Sequence, residues 1–327
     1  MTISTFSWKK NHPILCAAPL HGITNSSQRR ILKKFGADVV FTEMVSSMGL
    51  KYQNKKTINK TYFTKYEKPI IVQVFGHTIP ETITIAQELE KNGADGLDFN
   101  CGCPARSMLA SGNGGKLLQD PDKLIEILSA LKKSVNIPVS LKTRIGYDKK
   151  LPPSFYQNII KTTNIDCLTL HGRTVKQQYA GSSDWDYIKK ITEKLNIPVI
   201  GNGDIIDPQQ AKKYLKKYTP SGIMIGRGAL GQPWIFEQTK KLLLGKKIRP
   251  KTNIKKIKKT ILIHTNLLIK ELSLRKDHRK SVEEQAIIQM RKHFGWYIKN
   301  IPNATEIRKK LYLCNNTSEL RSILQNL

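Results

Sequence analysis

Cys101 and Cys103 stand one residue apart in the stretch LDFNCGCPARSMLASGNGGKLLQDP, Leu97 to Pro121. Thiols can clip a metal, pair in redox chemistry or work singly. A structural metal site needs about four ligands, its cysteines usually separated by two to four residues. Redox pairs usually have two residues between them. Here one residue intervenes and no second pair matches it. That leaves single thiols. Cys103 lies in a loop before Pro104, where it can reach over a cavity mouth or remain inert. A free thiol has a pKa of about 8.5, so it can donate a proton near neutrality without activation. A nucleophilic cysteine would want a base beside it.

Other polar residues close short apolar runs: Glu43, Gln73, Asn100, Lys142, His171 and Asn202. A lysine ending an apolar strand is costly to bury without a partner. Lys142 suits the N1–C2=O edge of a flavin, where a cation stabilises the anionic reduced ring. An ion pair with Glu43 or Asp98 is the alternative. Gln73 can meet a flavin's pyrimidine edge with its amide donor and acceptor. His171 reads either as a site residue or as a hydrogen-bonded core histidine. Arg144 and Arg173 follow Lys142 and His171 by two residues, so strand alternation places them on or just above the same lining. Two later turns, IGNGD (Ile200–Asp204) and IGRG (Ile225–Gly228), are glycine-rich. Consecutive amides there can nest a phosphate, with Arg227 adding charge.

These residues must be carried by the runs they end: Ile14–Pro19, Val39–Met44, Ile70–Gly76, Gly96–Asn100, Pro138–Thr143, Cys167–His171, Pro198–Gly201 and Gly222–Ile225. Each is nearly continuously apolar, as strands buried on both faces should be. Amphipathic helical patterns lie between them, some opened by proline at the first turn: Pro80–Asn92, Pro121–Val135 and one from Asp207-Pro208. Eight strands alternating with helices imply a (β/α)8 barrel, with an open doubly wound sheet as the alternative. Polar strand ends favour the barrel, whose sites are built on that face. After Pro233 three helices are expected, Ile254–Leu272, Ser281–Ile298 and Ala304–Leu324, joined by a basic link, Gly245–Pro250. The division is therefore 1–245 for the barrel and 246–327 for a small helical domain.

Formal net charge is +30 over 327 residues. From Lys246 to Leu327, 20 Lys and Arg face 6 Asp and Glu, more than twice the net positive density of the barrel. Such a field attracts polyanions. Five cysteines at irregular spacing make no disulfide framework, which suits a reducing cytoplasm. No run of about 18 apolar residues is present, so no membrane span is expected.

The chain resembles the tRNA-dihydrouridine synthases, above all their bacterial B-type branch. The resemblance rests on an ordered set: APLHGIT (Ala18–Thr24) with Arg29, TEM (Thr42–Met44), VQV (Val72–Val74), DFNCGCPA (Asp98–Ala105) and LKTR (Leu141–Arg144). HGRT (His171–Thr174), IGNGD, MIGR (Met224–Arg227), GQPWIF (Gly231–Phe236) and RKHFGWY (Arg291–Tyr297) complete it. It implies an FMN-containing barrel, NADPH as reductant and reduction of the C5–C6 bond of specific tRNA uridines, in the D-loop region. It places FMN against Pro19, Leu20, His21, Gln73, Lys142, His171, Asn202, Gly203, Asp204, Gly226 and Arg227. Cys103 becomes the acid that protonates C5. Asn100 would hold the target uracil, Arg144 and Arg173 would line its pocket, and Arg291 and Lys292 would contact tRNA. No metal is implied, and a monomer is expected. Cys101 stands where relatives carry methionine and is expected under the flavin or substrate. The glycines of the Ser107–Gly115 lid leave its closing motion open. Two rivals remain: a flavin barrel acting on a free pyrimidine, and a non-catalytic tRNA-binding or chaperone protein.

Overall fold

The computed structural model describes residues 6–248, 253–275 and 280–327. Arg249 and Pro250, the end of the expected basic link, lie outside them. Among the described residues nine strands form: β1 (Ile14–Ala17), β2 (Val39–Phe41), β3 (Val45–Ser46), β4 (Ile70–Phe75) and β5 (Gly96–Cys101), then β6 (Val139–Arg144), β7 (Cys167–His171), β8 (Val199–Asn202) and β9 (Gly222–Ile225). All pairings are parallel, and β1 pairs with β9 while β2 pairs with β4. That closes an eight-strand barrel, as expected, and β3 is an extension beside β4. The run expected as one strand over Val39–Met44 is strand only to Phe41, and β3 starts beyond it at Val45. Thr42 bridges the break: its amide reaches the Ile71 carbonyl and its hydroxyl accepts the Gln73 amide at 3.1 Å.

Alternation sorts the strand residues. Leu97, Phe99 and Cys101 of β5 join the large core between the barrel and its helices. Residues of the opposite parity face inward. Low in the barrel these are apolar, with Cys16, Phe41, Ile71, Cys167, Ile200 and Met224 packed together and Trp8 added from ahead of β1. Higher up they are polar. Helix starts follow the expected chemistry: Asp120 and Asp207 cap helices Pro121–Ser134 and Pro208–Tyr218, each with proline in the first turn.

After the barrel come helices Ile235–Leu243, Ile254–Ser273, Val282–Tyr297, Ala304–Leu313 and Thr317–Gln325. The helix expected over Ala304–Leu324 is thus two. Asn316 causes the break, because its side chain accepts the Glu319 amide as an N-cap and its backbone is extended. The helices share a second core, which takes in Ile31, Phe35 and Trp234 from the barrel side. Buried Arg29 is structural. Its Nε bonds Glu67 at 2.6 Å, and its two Nη atoms hold the carbonyls of Thr24 and Tyr62. Among the described residues no helix is long and apolar enough to cross a membrane.

The helical core contains a buried polar cluster. His264 and His293 stack edge to face, centroids 4.5 Å apart, and His264 Nδ1 lies 3.2 Å from the Tyr297 hydroxyl. Burial pushes His264 down to about 3 and His293 well below its usual range. Both are therefore neutral when folded. Below about pH 6.5 the unfolded chain takes up protons that the folded chain refuses, so stability is full above that pH and falls as pH drops toward 3. Denaturant unfolding at pH 5 is expected to show a loss of about 2 kcal/mol from His264 alone relative to pH 7.5. His264→Phe should flatten that dependence.

Candidate active site

A cavity of about 550 Å3 opens where the strands end. Pro19, Leu20 and His21 enter it after β1, Gln73 from β4, and Asn100, Gly102 and Cys103 from and after β5. Lys142 and Arg144 of β6, His171 of β7, Asn202, Gly203 and Asp204 after β8, and Gly226 and Arg227 after β9 complete the ring. All eleven residues expected at a cofactor therefore share one lining. Arg173 does not join it.

The floor is polar and tightly wired. Asp98 is fully buried; its Oδ2 accepts Gln73 Nε2 at 2.7 Å and its Oδ1 accepts the Ser140 hydroxyl at 2.7 Å. Gln73 Oε1 accepts Asn100 Nδ2 at 3.0 Å. Asn100 Oδ1 accepts the amides of Gly102 at 3.2 Å and Cys103 at 3.1 Å. Gln73 thus keeps only part of its amide for a ligand, whereas both its donor and its acceptor were expected to meet a flavin. Lys142 Nζ bonds Asn202 Oδ1 at 3.2 Å, and Asn202 Nδ2 donates to the Met224 carbonyl.

Electrostatics follow from burial. Burial pushes Asp98 up to about 7, against the pull of its hydrogen bonds and Lys142. It pushes Lys142 down to about 8, with Asp98 opposing. His171 falls to about 2, through burial and then the cations of Lys142, Arg144, Arg173 and Arg227. It is a neutral hydrogen-bonding group, not an acid.

Two expectations need correction. Cys101 does not lie under a ligand: strand parity turns it into the core with Leu97 and Phe99, and burial raises its thiol to about 12. Arg173 does not line the pocket. Its guanidinium clamps both oxygens of Asp204 at 2.8 and 2.7 Å and the Gly181 carbonyl at 2.6 Å. The Asp204 carboxylate is correspondingly spent inside the protein, held also by the Ser183 amide. Arg291 and Lys292, the residues expected to contact tRNA, are neighbours on one helix, so their side chains leave it about 100° apart. Lys292 Nζ bonds the Gly22 carbonyl and lines a second hollow of about 380 Å3 with His21, Glu43 and Lys60. Arg291 lines neither hollow.

The glycines after Cys103 serve close packing. The Gly115 amide bonds the Cys103 carbonyl at 3.0 Å. Gly114 has φ +59°, and a Cβ there would stand 2.9 Å from that carbonyl oxygen. Only glycine tolerates both constraints, so this part of the expected lid is seated against the cysteine.

Tyr179 was not found from sequence. It sits in the loop after β7, half exposed, its ring centroid 4.4 Å from the Arg227 guanidinium and 5.7 Å from that of Arg144. An aromatic in a strand-end loop between two site arginines was the available signal.

A family model described as dihydrouridine synthase matches residues 16–327. A protein named "Probable tRNA-dihydrouridine synthase" from Rickettsia bellii (strain RML369-C) is 32% identical over 302 residues, 91% of this chain and 90% of its own length. A "tRNA-dihydrouridine synthase B" from Xanthomonas axonopodis pv. citri (strain 306) is 32% identical over 298 residues, 90% of this chain and 87% of its own. Another of that name, from Vibrio vulnificus (strain CMCP6), is 33% identical over 296 residues, 90% of this chain and 89% of its own.

Proposed function

The chain belongs to the dihydrouridine synthase family, in its B-type branch, and on that premise we propose that it reduces specific uridines of tRNA with FMN and NADPH. The observation that carries the reading is the single cavity that gathers Cys103 with every expected cofactor residue. FMN fits the donor set. Gly226 leaves backbone open beside Arg227, where a Cβ would stand 3.4 and 3.8 Å from Ala18 and Leu20, whereas Gly203 is glycine because a Cβ there would strike Ser183. Amides there suit a phosphate. Lys142, neutral His171, Asn202 and the remaining amide capacity of Gln73 would face the ring.

When bound, FMN reduced by NADPH supplies a hydride for C6 of the uracil. The chain supplies the rest. The Cys103 thiol gives its proton to C5, completing addition of one hydride and one proton across the double bond. Asn100 holds the Cys103 loop and stands beside the base. Arg144 anchors itself on the carbonyls of Gly102, Thr174 and Gln178. Its Nη2 makes no hydrogen bond among the described residues, which leaves it for a uracil oxygen. Tyr179 offers a ring for stacking. The uracil must first be extruded from stacked RNA, at a cost of a few kcal/mol.

We assign 1–245 to catalysis and 246–327 to tRNA docking. The second core, built mainly by the later helices, and their dense positive charge support that division. The D-loop region is the proposed target. In Arg291→Gln/Lys292→Gln, tRNA affinity should fall. The slope of log K against log salt should flatten by about one for each phosphate that the protein no longer neutralises. A titration across salt concentrations checks this.

The test of function is direct. Purified protein supplied with FMN and NADPH should form dihydrouridine in an unmodified tRNA transcript, read by mass spectrometry of nucleosides. Efficient reduction of free uracil or oxidation of dihydroorotate without tRNA, or a chain unable to take up FMN, would overturn the reading.

A further inference from the structure

The buried carboxylate of Asp98 lies below the cavity, behind Gln73, and makes no contact with the cavity itself. β4–β5 register places it directly opposite Gln73, and β5 parity turns it inward with Asn100. Above it runs the chain of hydrogen bonds through Gln73 and Asn100 to the amides of Gly102 and Cys103.

The two middle members of this chain are carboxamides. Each could turn by 180° with almost no change of shape, exchanging its donor and acceptor. The Asn100 NH2 also meets Met44 Sδ at 3.7 Å, a weak acceptor that favours the same direction, so the choice falls mainly to the ends. At the upper end are two backbone N–H groups, which can only donate. They require Asn100 to present its oxygen, and its NH2 then points at Gln73. Gln73 must meet that NH2 with its own oxygen, so its NH2 points down. At the lower end it meets the Oδ2 of Asp98 at 2.7 Å, which accepts. A proton carried on the other oxygen, the one facing Ser140, would leave this acceptor unchanged. Both ends therefore demand the same direction, and every bond is satisfied.

The geometry points to Asp98 as a positioning residue: it fixes which way the Gln73 and Asn100 amides point, and through them holds the Cys103 loop over the cavity. Asp98 touches neither the proposed substrate nor the proposed cofactor. With an apolar side chain in its place, the lower end is silent and Gln73 NH2 faces no acceptor. Burying that donor unpaired is costly, so Gln73 is driven to turn. Its NH2 then confronts the NH2 of Asn100, and Asn100 in turn must choose between Gln73 and the loop amides. With asparagine at 98 the lower end can serve either direction, so only the loop amides still oppose the reversed one and it becomes accessible to part of the population.

The inference rests on the uridine-reduction reading for its kinetic readout alone. A second readout is independent of it. Cys16, Cys101, Cys167 and Cys314 are buried, and Cys103 is half-buried, so a small thiol reagent reports the Cys103 loop. FMN-loaded wild type, Asp98→Leu and Asp98→Asn are compared by the rate of iodoacetamide labelling, by tRNA Kd and by kcat and KM for tRNA. Thermal unfolding checks that each variant is folded.

Asp98→Leu is expected to lose about 10²-fold in kcat, the order of effect of a small displacement of a reacting group. Its tRNA Kd should match wild type, and Cys103 should label about tenfold faster as the loop loosens. Asp98→Asn, nearly the same shape, should lie between, with kcat down about threefold as only part of the population keeps the right direction. If Asp98→Leu does not fold, Asp98→Asn carries the test alone. Wild-type labelling and wild-type kcat in the folded variants would overturn the inference, as would a loss confined to melting temperature. Wild type inactive on tRNA but with labelling that changes in the variants would instead sink the functional reading and keep the positioning role.

Discussion

Cys103→Ala is expected to keep its flavin and its tRNA affinity and to reduce uridine about 10²- to 10⁴-fold more slowly, the span of a lost general acid. The side chain is half-buried at the cavity rim, and its loop is held from two directions. Asn100 accepts its amide, and the Gly115 amide bonds its carbonyl. Neither bond uses the sulfur, so alanine leaves the backbone in place. His171 and the Asp204 carboxylate, two titratable groups of the same lining, are poor substitutes. His171 is neutral down to about pH 2, and the Asp204 carboxylate is engaged by Arg173 and Ser183. The single-turnover rate with prereduced enzyme checks the assignment, and a wild-type rate would remove Cys103 as the acid. Cys101→Ala serves as the control. That thiol is in the core at about 12, so its loss should cost some stability and leave the rate intact.

The contrast between these neighbouring cysteines shows what sequence can reveal. Asp98 and Asn100 face inward, so Cys101 must face outward by strand parity; the information was present in the pattern and was outweighed by its position beside Cys103. The barrel itself was legible because parallel strands covered on both faces read as short apolar runs, and the polar residues ending them marked the working face. Arg173 was not legible. It lies past the end of β7, where the chain turns and alternation no longer governs direction, and only the folded loop reveals Asp204 as its partner. The partners of Gln73 depend on the pairing register of β4 with β5, which no local pattern states. Likewise, Asn316 ends one helix and begins another through a side-chain bond, while the apolar spacing runs on unchanged.

Lys142 carries the second large effect. It is a half-buried ammonium that bonds Asn202 Oδ1, with the Asp98 carboxylate below as its main electrostatic support. Lys142→Met removes that charge from the position proposed for the electron-rich edge of the flavin. Uridine reduction is expected to fall about 10²- to 10³-fold, as for other preorganised groups aimed at developing charge, and the reduction potential of bound flavin should drop. The sign with pH is fixed by the direction of the shift. Burial lowers Lys142 to about 8, so the ammonium is present below that pH and lost above it. Wild-type activity should therefore decline above about pH 8, and Lys142→Met should show no such limb. Lys142→Arg keeps a cation across the range, because a guanidinium titrates at about 12 or above. Some activity should return in that variant, without the alkaline decline. Asp98 supplies the internal check: without the ammonium its carboxylate is buried unsupported and must shift further up, toward the neutral form. A flavin potential and pH profile unchanged in Lys142→Met would mean that the lysine serves the packing of the floor and not the chemistry above it.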